Sequence, residues 1–451
     1  MIAKNDAADF LVAFEQYGDQ TAIIWQDKLF TYRHILNRIA FWKTRLNSIQ
    51  SGSIVGLEGD FSPESIAILF VLIDYKMIIV PLDIHHTEKN LKKSTRAQLD
   101  ILIRIKAEDQ IEIKGTGDHS VKNDLYDVVK ARSVAGLLLF TSGSSGEPKA
   151  ALHDFSKLLG KFSIRRKALR TINFLLFDHW GGLNTLFHVL SNGGTVVLLE
   201  NRSPDYVSGL IEKYQVELLP TSPTFLNMLI LSRAYERRSL KSLKIISYGA
   251  EPMPESLLTL LNKLFSDVIF QQTYGLIELG VMRSKSEGNG SLWVKIGGEG
   301  YQTRIHEGIL QIKSDSAMIG YLNAQSPFTE DGWFITGDSV EVKGDYFKIL
   351  GRKSEIINVG GEKVFPQEVE NVILELPFVN DVLVYAEDNR LTGKIVCAKV
   401  RYDGSDDDLT VINMIKKHCR SRLEPYKVPV KVVMTDATFI NHRFKKNRKS
   451  E

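Results

Sequence analysis

From about residue 130 to 280 the chain repeats one pattern. AGLLLF, GTVVLLE, VELLPTS, LKIISYGA and DVIFQQTYG are short, β-rich apolar runs, and longer helical stretches such as PESLLTLLNKLF separate them. Strands alternating with helices predict a mostly parallel sheet covered on both faces. Ligands of such sheets bind at the carboxyl ends of the strands. The polar turns after LLLF, LKIIS and VIFQQ are therefore expected to face one crevice. Upstream, Ser62-Pro63-Glu64 before IAILFVLIDY reads as a helix start, with a serine cap, a proline in the first turn and an acid at the positive end. KMIIVPLD after it reads as a buried strand.

Beyond residue 290 the texture changes. GILQIKS and GDYFKILG, with Gly-Asp turns, predict antiparallel ribbons. The last segment predicts a helix at 367–375, strands at VNDVLVYAE and KIVCAKV, a helix at LTVINMIKKHCRSRL and a strand at VKVVMT. That is an α+β unit. With 451 residues to divide, a boundary near Gly351-Arg352 gives a large domain, 1–351, and a small one, 352–451.

Composition removes several classes. The chain is 43% hydrophobic and 25% charged, as soluble globular proteins are. A net charge of +3 is too near balance to imply a polyanion, so no nucleic-acid partner is expected. Cys397 and Cys419 are far apart and form no Cys-x-x-Cys pair, which fits a reducing compartment without a disulfide framework or zinc site. The start, MIAKND, lacks an apolar signal core. The most apolar stretch, 66–82, is broken by Asp74 and Lys76 and is too short to span a bilayer. A cytoplasmic location without a membrane span is the expectation.

At residues 137–149 the apolar run LLLF ends in Thr141-Ser142-Gly143-Ser144-Ser145-Gly146, followed by Glu147-Pro148-Lys149. The spacing is not that of the common phosphate loop, which has four residues between its first glycine and a Gly-Lys pair. The composition still suits a flexible phosphate-wrapping loop. Glycines let backbone N–H groups approach, hydroxyls donate, and Lys149 adds charge.

Taken in order, FTSGSSGEPK, FDHWGG, SYGAEPM, QQTYGLIE, GWFITGD, GRKSEIINVGGEKVFPQEVE and the basic end FKKNRK resemble the motifs of the adenylate-forming superfamily, over nearly the whole chain. That superfamily contains acyl-CoA synthetases, peptide-synthetase adenylation domains and firefly luciferase. The resemblance implies an α/β fold with a large N-terminal domain of layered, mostly parallel sheets and helices and a small mobile α+β C-terminal domain.

It also implies roles. Thr141 to Gly146 and Lys149 would hold the ATP phosphates. Gly249, Ala250 and Glu251, with Thr273, Tyr274 and Gly275, would form the adenine side, with Tyr274 against the ring. Glu278 would take magnesium. Asp338 would accept from the ribose hydroxyls, with Arg352 assisting. His179 would stand between acyl pocket and thiol entrance, with Asp178 either a substrate-amine ligand or a loop brace. Ser354 falls at the hinge, where Asp or Lys is more usual. Gly360-Gly361 would present backbone to pantetheine. Lys445 would be the adenylation lysine, with Lys446 its rival in register. Two further departures stand out. Ile277 replaces the usual hydroxyl residue before the glutamate, for which Thr273 is a candidate stand-in, and Phe444 replaces the glycine before the lysine.

The function implied is that of an ATP-dependent acid–thiol ligase. It would make an acyl-adenylate from ATP and a carboxylic acid, and pass the acyl group to CoA or to the phosphopantetheine of a separate carrier protein. No fused carrier domain is expected, since the chain stops just past the lysine motif. Alternatives are a stand-alone amino-acid-adenylating enzyme, or a degenerate ATP-binding member without turnover.

Overall fold

The computed structural model describes residues 7–84, 87–117, 122–141, 147–298, 300–404, 407–440 and 446. Two seven-stranded sheets form the body of the chain. The first runs Ile269–Gln272, Ile245–Tyr248, Leu218–Thr221, Arg170–Ile172, Thr195–Val197 and Thr21–Trp25, all parallel, and ends in an antiparallel strand, Lys28–Thr31. The second holds Ile54–Gly59, Ile78–Asp83, Ile101–Ile105 and Gly136–Thr141 in parallel, with antiparallel edges.

The strands between 130 and 280 therefore do not share one sheet, as the alternation had suggested. Gly136–Thr141 turns straight back into Lys149–Asp154 as an antiparallel pair. The connection, 142–148, is too short for a parallel crossover, which needs about a dozen residues or more.

The helix Pro63–Asp74 is buried along almost its whole length, and its start is fixed by a reciprocal pair in which Ser62 and Ser65 each accept from the other's backbone N–H. It lies in an apolar core that also takes Ile23 and Val196 from the first sheet, Val55, Ile79 and Leu137 from the second, and Leu183, Leu186 and Leu190 from the helix Trp180–Ser191. Helices buried on all sides are apolar all round, which is why 63–74 carries no polar stripe.

A six-stranded antiparallel sheet follows, containing Phe334–Lys343 and Tyr346–Arg352. Past a 3-10 turn at Lys353–Glu355 comes a five-stranded sheet with the helices Pro366–Ile373 and Asp408–Arg422. Its core is drawn from residues 357–434 alone. The elements expected in this C-terminal unit are present within a few residues of their anticipated ends. Cys397 and Cys419 are buried free thiols. Among the described residues no helix is long and apolar enough to cross a membrane.

Candidate active site

The first sheet brings two turns together at the carboxyl ends of neighbouring parallel strands. Tyr248 is registered beside Gln272, and each strand then breaks into a polar turn. Thr273 donates its backbone N–H (2.7 Å) and its hydroxyl (3.0 Å) to the Tyr248 carbonyl. This crowding explains Gly249, where a Cβ would lie 2.5 Å from Thr273 Oγ1 and 2.6 Å from its carbonyl oxygen. Ala250 follows at φ +70°, a left-handed conformation unusual for a residue with a Cβ. Glu251 accepts from the Thr224 N–H (2.8 Å) at the start of the helix Pro223–Leu231, and from the Lys446 N–H (3.2 Å). Burial raises its carboxyl pKa, and these hydrogen bonds oppose the rise.

Tyr274 leaves the first sheet and reaches the antiparallel one. Its hydroxyl donates to Asp338 Oδ2 at 2.5 Å. Asp338 Oδ1 pairs with Arg352 Nε at 2.7 Å, and the two residues are registered opposite each other on adjacent strands. Arg352 also donates to the Thr336 carbonyl at 3.1 Å. Burial pushes the Asp338 carboxyl up, while Arg352 and Tyr274 hold it down. Burial, and then the Asp338 charge, push the Tyr274 phenol well above its ordinary range, so it stays a donor. Each Asp338 oxygen thus has one partner and a carboxylate oxygen offers about two lone-pair sites, leaving room for further donors.

Glu278 accepts from the Tyr321 hydroxyl at 2.5 Å. Lys149 Nζ lies 5.2 Å from the centroid of the Tyr321 ring, which groups a cation, a phenol and a carboxylate. Ile277 packs against the apolar clusters on either side of it. Thr273 does not restore the donor that Ile277 lacks, because its hydroxyl proton is committed to Tyr248.

His179 caps the helix Trp180–Ser191, its Nδ1 accepting from the Gly181 N–H at 3.0 Å. The two glycines after Trp180 are imposed by contact. A Cβ on Gly181 would lie 2.4 Å from Leu175 Cδ1, and one on Gly182 would lie 2.4 Å from the Leu176 carbonyl oxygen. Asp178 is buried and paired with Lys93 at 3.1 Å. This geometry makes it a brace of the loop.

One cavity of 1790 Å³ gathers Thr141, Lys149, His179, Gly249, Ala250, Glu251, Thr273, Tyr274, Gly275, Glu278, Asp338, Arg352 and Ser354. That exceeds the few hundred to roughly 1,000 Å³ of single-ligand pockets, so there is space for more than one substrate. The C-terminal unit closes one side of it, with Phe365, Asp381, Tyr385 and Lys446 in its wall. The Lys446 ammonium, however, turns into that unit, to the Val382 carbonyl (2.7 Å), Asp381 (3.3 Å) and Glu370 (3.5 Å). Gly360 and Gly361 form an exposed turn between Ile357–Val359 and Glu362–Val364, away from the cavity wall. Ser142, Gly143, Ser144, Ser145, Gly146 and Lys445 lie outside the described residues. Tyr321 escaped the sequence reading, since an isolated Gly-Tyr carries no signal of its own.

The family model described as AMP-binding enzyme matches residues 10–297, and that described as AMP-binding enzyme C-terminal domain matches 368–445. The 2-succinylbenzoate–CoA ligase of Bacillus licheniformis is 30% identical over 322 residues, 65% of this chain and 65% of that protein. The chain thus matches a little under two thirds of this relative's length. The peroxisomal trans-cinnamate:CoA ligase of Petunia hybrida is 23% identical, covering 92% of this chain and 88% of that one. Among solved structures, the anthranilate CoA ligase AuaEII in complex with anthranoyl-AMP superposes with a TM-score of 0.84 at 19% identity, covering 98% and 95% of the two chains. ATP-bound MatB from Rhodopseudomonas palustris gives 0.81 at 20% identity, covering 97% and 96%.

Proposed function

Because the chain belongs to the AMP-binding enzyme family, we propose that it is an ATP-dependent, AMP-forming acid–CoA ligase. The observation that carries this reading is the single cavity, where the Tyr274–Asp338–Arg352 and Lys149–Tyr321–Glu278 groups meet under a C-terminal unit. In the first half-reaction a substrate carboxylate oxygen attacks the α-phosphorus of ATP. An acyl–O–P bond forms, the α–β phosphoanhydride bond breaks, and pyrophosphate leaves. In the second, a thiol sulfur attacks the acyl carbon, AMP departs with the C–O bonding pair, and the thiol proton is released.

The residues divide between these tasks. Gly249, Ala250 and Glu251 with Thr273, Tyr274 and Gly275 would frame the adenine, and Asp338 with Arg352 would take the ribose hydroxyls. Thr141 to Gly146 and Lys149 would hold the leaving pyrophosphate. The family implies magnesium, and Glu278 fits it. Glu278 is an oxygen donor in the cavity wall, and no cluster of three His, Cys, Asp or Glu exists among the described residues. A cation held mainly by phosphates and one carboxylate matches the coordination habits of magnesium. Held by Glu278, magnesium would supply positive charge against the phosphates.

His179 would separate acyl pocket from thiol entrance. Residues 1–351 and 352–451 would act as two bodies hinged at Ser354, with Gly360-Gly361 swinging in for the thiol step. The commitment of the Lys446 ammonium to Glu370 and Asp381 supports Lys445 as the adenylation lysine. The Asp178–Lys93 pair disfavours the amino-acid-adenylating alternative, since that carboxylate already has its cation.

The test is ATP–pyrophosphate exchange across a panel of fatty, aryl and amino acids, followed by addition of CoA or a phosphopantetheinylated carrier protein. Exchange with an acid and thioester formation on CoA is the expected result. Exchange with amino acids alone, or with no acid, would replace it with one of the two alternatives, and transfer only to the carrier would change the acceptor.

A further inference from the structure

At the end of the cavity beyond His179, the lining turns basic. Lys161, in the 3-10 segment Gly160–Ser163, donates from Nζ to the Val281 carbonyl at 2.7 Å. Arg283 follows two residues after Val281. On the helix Trp180–Ser191, Trp180, Asn184 and His188 recur at four-residue spacing, so they share one face, and all three line the cavity. Trp180 Nε1 and Asn184 Oδ1 are buried and find no hydrogen-bond partner among the described residues. The indole nitrogen lies beside the same strand that holds Lys161, since a Cβ on Gly280 would come within 3.2 Å of it.

Among the described residues that line this end there is no acid, and Glu217, which feels the charge of Lys167, lies outside the lining. Arg166, Lys167, Lys161, His188 and Arg283 all line this end, while the acidic lining residues Glu251, Glu278, Asp338, Glu355, Glu375 and Asp381 belong to the nucleotide side or the C-terminal unit. Among the described residues, no ion pair is made by Lys161 or Arg283. Burial, and then the neighbouring Arg283 charge, lower the Lys161 ammonium to about 7. His188 is lowered by burial, then by Lys161 and Arg166. Like charges crowded together raise each other's free energy, and an anion placed among them adds an attraction to each.

We propose that the acid activated in this cavity carries a second anionic group, so that it is a dicarboxylic acid, and that Lys161 and Arg283 receive the second carboxylate while the first faces the nucleotide. Trp180 Nε1 supplies a further donor, and Asn184 Oδ1 marks where a polar hydrogen of the acid's linker is accepted. This rests on the ligase reading, and it names the substrate class of that same site.

The test is pyrophosphate exchange without CoA. The probes are α,ω-dicarboxylic acids of increasing length and benzene dicarboxylic acids, each beside its monomethyl ester. One diacid should show a KM at least about tenfold below its monoester, the size of a charge-assisted hydrogen bond. Lys161→Met should remove that preference by raising the diacid KM alone, Lys161→Arg should keep it, and the exposed Arg283→Gln should reduce it. Equal use of diacid and monoester by the wild-type enzyme overturns the proposal, as does an equal loss on both in Lys161→Met and Arg283→Gln. If the substitutions leave exchange intact and, in a separate thioester-forming assay, raise only the KM for CoA, the anion met here is a CoA phosphate and the proposal fails. Exchange with monocarboxylic acids alone would sink this inference and leave the ligase reading standing, whereas no exchange with any acid would sink the ligase reading.

Discussion

The Tyr274 hydroxyl sits 2.5 Å from Asp338 Oδ2 and joins the end of a parallel strand to the middle of an antiparallel sheet. A buried carboxylate stripped of this donor keeps only Arg352. Tyr274→Phe should therefore destabilise the fold by about 1.5–3 kcal/mol and raise the KM for ATP. Urea unfolding and exchange kinetics check both, and an unchanged midpoint would mean that the phenol is not supporting Asp338.

The two adjacent lysines should separate cleanly. Lys446→Ala leaves Glu370, which has no solvent exposure, and Asp381 without their cation, which should cost about 3–5 kcal/mol of stability. Its exchange rate, measured where the fold is intact, should change little. Lys445→Ala should slow adenylation by about 10²–10³ and still convert supplied acyl-adenylate and thiol. The reverse assignment of these effects would move the catalytic role to Lys446.

Glu278→Gln should bind ATP and lose most magnesium-dependent exchange, because a neutral amide is a weaker ligand for a hard cation. Tyr321→Phe removes the donor that orients Glu278 and should reproduce part of the loss as a raised magnesium requirement. Normal magnesium titrations in both variants would take Glu278 out of the phosphate site.

Acid sensitivity should trace in part to His153. It has no solvent exposure, and burial lowers its imidazole from 6.5 to about 4. Between those values the unfolded chain holds the proton that the folded chain refuses. Stability from this group is complete above about pH 6.5 and is lost as pH falls toward 4, by about 3 kcal/mol over that window. His153→Gln should flatten this part of the stability–pH curve, read as urea midpoints at about pH 7 and about pH 4.5. Parallel falls in both proteins would place the sensitivity elsewhere.

Gly361→Leu tests the thiol step. At φ +97° and with no heavy atom within 4 Å of a built Cβ, the substitution strains only an exposed turn. Adenylate formation should persist and thioester formation should stop, as quenched single-turnover assays would read. An equal loss in both half-reactions would refute a role confined to the thiol path.

The parts of this site that announced themselves in the sequence are turns. Gly249, Thr273 and Tyr274 follow apolar runs, and the strands that end there are short enough for their polar residues to stand out. The C-terminal helices and strands were legible through the pattern of their apolar runs. What stayed hidden depends on partners distant in sequence. Lys161 looks like one more surface lysine until the fold sets it against Val281 and the helix 180–191. Asp178 reads equally as a ligand or as a brace until Lys93 arrives from 85 residues away. The split of the 130–280 strands into two sheets was decided by the shortness of 142–148, a constraint that alternation of strand and helix does not record.

Lys446 is rivetted by its side chain to the C-terminal unit and touches the large domain through its backbone N–H, at Glu251. Asn227 Nδ2 makes a second such touch on the Asn380 carbonyl at 3.0 Å. A swing of the small unit would carry the Lys446 clamp as rigid cargo and give up bonds of this kind, worth about 1–3 kcal/mol each. Such contacts would act as a detent, firm enough to define a resting angle and weak enough for thermal motion to release it.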